Sequence, residues 1–354
     1  MKYIKFQFRF CNTSKNEENS KKSGSRRKMR ILVTGSTGFI GGFLVEELLA
    51  QGHEIVCLIR KTSSTKYLPR EQVKFVQGTL ESPESLARAV DGVQMVFHLA
   101  GATRVLHKDD FYRINAEGTR HLLEACSQGG KDLQRFVLVS SLAAAGPCQN
   151  GQPVTEVQAP HPVSHYGRSK LAAEQFALEY AGAFPVTIVR PPVVYGPRDQ
   201  DVYAYFKQVK AGIALQLGRK PRHLSLIHVQ DLVRGIVQAG FAGKAIGQTY
   251  FITNAEAKTW SELGTLISQA LGKKCIRLVV PVVTASLVAA VSELMARIRK
   301  SPALLGFDKI HEMRHECWVC SGEKAARELD FRPQIAVEEG IRQTARWYER
   351  MGWL

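Results

Sequence analysis

From residue 30 to about 190, short apolar, β-branched runs alternate with stretches whose apolar positions recur every three or four residues. The first pattern predicts buried strands and the second amphipathic helices. Strands are expected at 30–34, 54–59, 73–77, 95–99, 135–140 and 186–190, and helices near 39–51, 82–90, 109–128 and 164–182. Runs that stay apolar on both strand faces predict an α/β fold, a doubly wound parallel sheet covered by helices on each side. Beyond Pro197 the pattern loosens, with a helix near 200–211, a strand at 225–229, a helix from Asp231 and a strand at 248–252. The chain therefore divides into a sheet domain, 29–196 with 225–252 returning to it, and a smaller, mostly helical lobe built from 197–224 and 253–354.

At 354 residues the chain is long enough for this two-part arrangement. Its net charge of +16 suggests nucleic acid until it is divided along the chain. Residues 1–30 hold ten Lys and Arg against two Glu, and the rest holds 38 basic against 30 acidic residues, so half the excess is N-terminal. That stretch lacks apolar periodicity and reads either as a disordered basic tail, 1–28, or as an extension from an upstream start, since Met29 directly precedes the first strand. No nucleic-acid partner is expected. No apolar run suits a signal peptide or a spanning helix, so the expected compartment is the cytoplasm. Seven scattered cysteines predict reduced thiols.

Candidate chemistry begins at Thr34-Gly35-Ser36-Thr37-Gly38-Phe39-Ile40-Gly41, between the first strand and the first helix. In that context the three glycines predict a tight turn, close backbone approach to a pyrophosphate and close helix packing, the Rossmann dinucleotide site. Strand two ends in Leu58-Ile59-Arg60-Lys61-Thr62-Ser63, with no carboxylate for the ribose hydroxyls of NAD. Arg60 and Lys61 suit a 2′-phosphate, so NADP(H) is favoured, with NAD(H) as the alternative. Downstream, Tyr166 and Lys170 are spaced to share one helix face, where the ammonium is expected to lower the phenol's pKa. The strand at 135–140 leads into Ser140-Ser141, hydroxyls at the carboxyl edge of the sheet where ligands of such folds bind.

With Asn115 in Arg113-Ile114-Asn115-Ala116-Glu117-Gly118-Thr119, His98-Leu99-Ala100-Gly101, and Arg190-Pro191-Pro192-Val193-Val194-Tyr195-Gly196-Pro197, the chain resembles the extended short-chain dehydrogenase/reductase family over about residues 30–350. The resemblance implies that Ser141 holds the reacting oxygen, Tyr166 is the acid/base, Lys170 binds the nicotinamide ribose, and Asn115 steadies the backbone of the active-site region. It places Gly35, Thr37, Gly38, Phe39, Ile40, Gly41, Arg60, Lys61, Leu80, Leu99, Ala100, Tyr166, Lys170 and Pro191 at the cofactor. One departure is Thr79, where the family has an Asp near the adenine. Nucleotide-sugar enzymes of the family place an Asn where Val193 stands and an Arg where Leu224 stands, with Arg222 and Arg219 near enough to substitute. The resemblance is closer to the dihydroflavonol-reductase and 3β-hydroxysteroid-dehydrogenase branches, implying a carbonyl/alcohol pair on a small apolar substrate. The alternatives are a nucleotide-sugar epimerase or dehydratase and a non-catalytic cofactor-binding scaffold. Dimerisation beside the Tyr-Lys helix is common in the family, and Phe176, Leu178 and Tyr180 are candidates for it or for core.

Two further signals invite other readings. His311-Glu312-Met313-Arg314-His315 and Cys317-Trp318-Val319-Cys320 have metal-ligand spacings. They fall late in the chain, where the family carries a Trp before a short helix, so packing is expected and no metal. The apolar stretch 278–298, interrupted by Pro281 and Glu293, reads as a lobe helix at the substrate entrance, or as a surface-seated membrane contact aided by Arg297, Arg299 and Lys300.

Overall fold

The computed structural model describes residues 28–129, 132–299, 301 and 306–354. The tail read at 1–28 lies outside them except for its last residue. Strands β1 (Arg30–Thr34), β2 (Glu54–Ile59), β3 (Val73–Gln77), β4 (Met95–His98), β5 (Arg135–Val139) and β6 (Val186–Arg190) are followed by β7 (Val193–Tyr195), β8 (Ile213–Leu217), β9 (His223–Leu224), β10 (Leu226–His228) and β11 (Gln248–Phe251). The last three are β12 (Lys258–Thr259), β13 (Ile276–Val280) and β14 (Cys317–Trp318). Seven strands form one parallel sheet in the order β11-β6-β5-β4-β1-β2-β3. The order reverses direction at β1, and the crevice beside its carboxyl end is where ligands of open sheets bind.

Alternation along β1 shows why both faces are covered. Ile31 and Val33 pack with Leu48, Val137 and Ile236 on one side, while Leu32 packs with Val56, Leu122 and Phe136 on the other. A third core, including Tyr195, Phe206, Leu263, Ile341 and Tyr348, holds the lobe together. Within 225–252 only β11 enters the main sheet. β10 pairs with β7 in a separate parallel pair, because Pro191 and Pro192 turn the chain away after β6.

Three details differ from the sequence expectations. The expected helix at 109–128 is interrupted by a π-helical turn, Tyr112–Glu117, between Asp109–Phe111 and Gly118–Gly129. The segment 276–280 is a strand paired with β8, and the helix of the apolar stretch starts after Pro281, at Val282–Arg299. Cys148 and Cys317 form a disulfide across 169 residues of sequence, against the expectation of reduced thiols. Spacing could not show this pair, because it exists only where the loop after β5 hydrogen-bonds β14, Cys148 N–H donating to the Cys317 carbonyl at 2.9 Å.

The helix His165–Glu179, which carries Tyr166 and Lys170, is tied to the sheet by a buried ion pair. Arg190, at the end of β6, donates from Nε to Glu174 Oε1 at 2.9 Å and from Nη2 to Oε2 at 2.5 Å, with side chains 6% and 3% exposed. Removing one member leaves the other charged and unpaired in the interior. Glu174→Ala is therefore expected to cost about 3–5 kcal/mol in urea unfolding, and Glu174→Leu combined with Arg190→Met should recover most of that loss.

Candidate functional site

The glycine turn is shaped by contacts that exclude side chains. Gly35 has φ +71°, and a Cβ there would lie 2.7 Å from the Ala100 nitrogen and the Leu99 carbonyl carbon, while a Cβ at Gly41 would lie 2.2 Å from the Gly35 oxygen. β1, β4 and the helix Phe39–Ala50 therefore meet backbone to backbone. That helix has no side-chain cap and no acidic residue in its first turn, so its free N–H groups and positive dipole end point out of the turn. A pyrophosphate fits this donor set, and the residues present suit a dinucleotide. Thr37, Phe39 and Ile40 line the same end, half-buried, with Phe39 edge-on to Phe43. Arg60 and Lys61 stand exposed at the end of β2, Arg60 N–H donating to Ser63 Oγ at 3.2 Å. Leu80 lies past β3, against Gly118.

His98 locks the neighbouring loop. Its ring lies between Thr34 Oγ1 at 2.6 Å and Thr119 Oγ1 at 2.9 Å, and Thr119 donates to the Asn115 carbonyl at 2.6 Å. Thr34 Oγ1 also accepts from Ala100 N–H at 3.2 Å, so one buried relay joins the glycine turn, Leu99-Ala100 and the π turn. Asn115 sits in that turn. Its Oδ1 accepts from Ala102 N–H at 2.7 Å, and its Nδ2 donates to Ser169 Oγ at 2.9 Å and to the Ala102 carbonyl at 3.0 Å. The amide thus clamps the β4 loop to the Tyr-Lys helix.

Ser141 follows β5 and caps the short helix Leu142–Ala145, its Oγ accepting from Ala143 N–H at 3.1 Å. The Tyr-Lys helix crosses that turn so closely that a Cβ on Gly167 would lie 2.3 Å from the Ala143 oxygen. The crossing brings the phenol into hydrogen-bonding range of Ser141. Lys170 is buried and donates to the Val139 carbonyl at 2.9 Å, and Pro191, buried beyond β6, accepts from Leu142 N–H at 2.8 Å. Ser140 is buried with no hydroxyl partner among the described residues.

Electrostatics here differ from the expectation that Lys170 lowers the phenol. Burial pushes Tyr166 above the ordinary tyrosine range, the Ser141 hydrogen bond pulls it back, Glu312 raises it and Lys309 lowers it. Lys170 is itself pushed down to about 8 by burial, with Glu174 opposing, and its ammonium is directed at a carbonyl. Sequence reasoning missed Lys309 and its neighbours. The helix Phe307–Arg314 closes over the start of the Tyr-Lys helix, where Asp308 accepts from His165 N–H at 2.7 Å and Tyr166 N–H at 3.1 Å. Glu312 accepts from Ser164 Oγ at 2.7 Å and from Lys309 at 3.0 Å. The H-E-x-x-H spacing thus marks a carboxylate that braces a helix end. Cys317 is in the disulfide, and Cys320 is buried against Ser225. Among the described residues no three His, Cys, Asp or Glu side chains are grouped to hold a metal.

Burial pushes His98 down to about 3, with the Lys170 charge adding to the effect. An unfolded histidine, near 6.5, takes up a proton that folded His98 refuses until about pH 3, so the unfolded chain binds more protons between those values. Stability should therefore fall on acidification from about pH 6.5 toward 3, and His98→Gln should flatten this dependence of the melting temperature in calorimetry.

Residues 31–252 match the profile of the NAD dependent epimerase/dehydratase family. The chain is 28% identical over 329 residues to a ceramide reductase of Caulobacter vibrioides, covering 92% of this chain and 96% of that protein. It is 30% identical over 266 residues to a 3 beta-hydroxysteroid dehydrogenase/Delta 5-->4-isomerase of Mycobacterium tuberculosis, covering 69% and 70%. Among solved structures it is similar to the UDP-glucose 4-epimerase of Thermus thermophilus in complex with NAD, with TM-score 0.73 and 26% identity over 91% of this chain and 99% of that one.

Proposed function

Since the chain belongs to the NAD dependent epimerase/dehydratase family, we propose that it is a nicotinamide-dependent oxidoreductase interconverting a carbonyl and an alcohol on a small, apolar, non-nucleotide substrate. The observation that carries the substrate class is the engagement of Arg222. Its guanidinium donates to the carbonyls of Met313 at 2.8 Å, Lys220 at 3.3 Å and Leu217, and Val193 supplies no donor. A nucleotide sugar's diphosphate would have to draw Arg222 from these carbonyls or rely on the exposed Arg219, which makes such a ligand the less favoured one. The names of the ceramide reductase and the hydroxysteroid dehydrogenase support an apolar substrate. The lack of an acidic residue from Leu58 to Lys66 supports NADP(H) over NAD(H).

The dinucleotide, when bound, supplies or takes the hydride. Ser141 and Tyr166 would hold the substrate oxygen between two hydroxyls at the end of β5, stabilising negative charge as it develops. Tyr166 exchanges the proton on that oxygen. A phenol held above its ordinary range stays protonated at neutral pH and can donate to a developing alkoxide, the reverse step returning the proton to it. Lys170, fixed by the Val139 carbonyl, would bind the nicotinamide ribose. Asn115 is a positioning residue that holds the Ala102 backbone and Ser169.

In fluorescence titrations Arg60→Asp should weaken NADPH binding about tenfold or more and leave NADH binding nearly unchanged, as expected for loss of a charge-assisted contact. NAD⁺ extracted from the purified protein, resistant to exchange, would instead support the epimerase. Tyr166→Phe should retain NADPH binding while lowering carbonyl turnover by about 10²–10⁴-fold. Wild-type protein that binds NADPH but turns over no member of an apolar ketone and aldehyde panel would support the scaffold.

A further inference from the structure

The helix Val282–Arg299 is amphipathic in an unusual sense, because its packed face is made of small residues and its large apolar residues face outward. Ala285 and Ala289 pack against Ile310. On the opposite side Val283, Leu287, Val291, Leu294 and Ile298, spaced as one helical stripe, are each between 60% and 73% exposed. In the preceding strand β13, Ile276 and Leu278 are also exposed, at 77% and 52%. Isolated exposed aliphatics are ordinary, but a continuous stripe along about four helical turns marks a contact surface.

Charge selects what it contacts. From 273 to 299 the sequence carries five Lys and Arg against one acid, Glu293, and Lys273, Lys274 and Arg299 are exposed. Glu293 is turned inward, accepting from Phe307 N–H at 2.7 Å, so no acidic side chain faces out along the stripe. A second copy of this face would set its cations against these. Residues 1–27, with eight Lys and Arg against two Glu, would do the same. No helix among the described residues is long and apolar enough to cross a membrane. We infer that this face seats the protein on an anionic lipid bilayer, with the aliphatic stripe among the acyl chains and the surrounding cations at the headgroups.

The seat lies one helix from the chemistry. Arg314 donates to Ser286 at 3.2 Å, joining the stripe helix to Phe307–Arg314, the helix whose Asp308 and Glu312 brace the start of the Tyr-Lys helix. Binding to the bilayer thus places the site beside the lipid surface. The inference stands on the exposed face and does not rest on the proposed reaction.

The test is flotation of the full chain with vesicles of phosphatidylcholine alone and of an equal mixture with phosphatidylglycerol. The wild type should float with the anionic vesicles, and Leu287→Asp with Leu294→Asp should reduce the bound fraction about tenfold or more. Lys273→Glu with Lys274→Glu should weaken binding in proportion to the anionic lipid. Because these side chains are exposed, each variant should keep the wild-type melting temperature and circular dichroism, which shows that it is folded. No flotation of the wild type, or flotation indifferent to the Asp pair, would overturn the inference. So would a wild-type dimer that the Asp pair splits into monomers in light scattering without any vesicle binding, since the face would then belong to a second copy.

Discussion

The buried contact between Arg190 and Glu174 sets the geometry on which the site depends. Glu174 is one turn along from Lys170, and Arg190 ends the strand next to β5, so the pair fixes the height of the Tyr-Lys helix against the sheet. With that height set, Lys170 reaches the Val139 carbonyl, Gly167 passes over Ala143, and Tyr166 comes opposite Ser141. Two desolvated charges tolerate few alternative placements, because sliding the helix by a turn would leave both unpaired. The ring of Phe251, on the last strand of the sheet, lies against the Arg190 guanidinium and closes the pair from the other side.

The relay Thr34–His98–Thr119–Asn115 does for the cofactor turn what the ion pair does for the helix. Both join strand ends of the sheet to a neighbouring helix. Both reach the helix His165–Glu179, the relay through Ser169, which Asn115 holds from the π turn and which itself donates to the Tyr166 carbonyl. The π turn widens the helix by one residue at the position where the Asn115 side chain must reach both the Ala102 backbone and the Ser169 hydroxyl, a local irregularity of the kind found at functional sites.

Much of this was legible in the sequence because periodicity and local chemistry are written in adjacent residues. The strands β1, β2, β3 and β6 follow directly from apolar runs, and the glycine turn from its place between strand and helix. What could not be read depends on residues far apart. Asp308 and Glu312 lie more than 140 positions from the backbone and hydroxyl they brace, in a motif whose spacing suggested metal chemistry. Cys148 and Cys317 meet only because a loop from the sheet domain runs beside a strand of the lobe. The direction of the Tyr166 shift was misread because i, i+4 spacing fixes a shared helix face but not what the ammonium points at, and a backbone carbonyl takes it.

The brace from Asp308 and Glu312 also bears on when the enzyme becomes complete during synthesis. All seven strands of the sheet have been translated by Phe251, and with them the glycine turn, Ser141, Tyr166 and Lys170. The groups that hold the first turn of the Tyr-Lys helix arrive later, in the helix Phe307–Arg314. A nascent chain paused between these points would have its glycine turn but an unbraced Tyr-Lys helix. The order of translation thus separates formation of the sheet and its turn from fixation of the helix that crosses them.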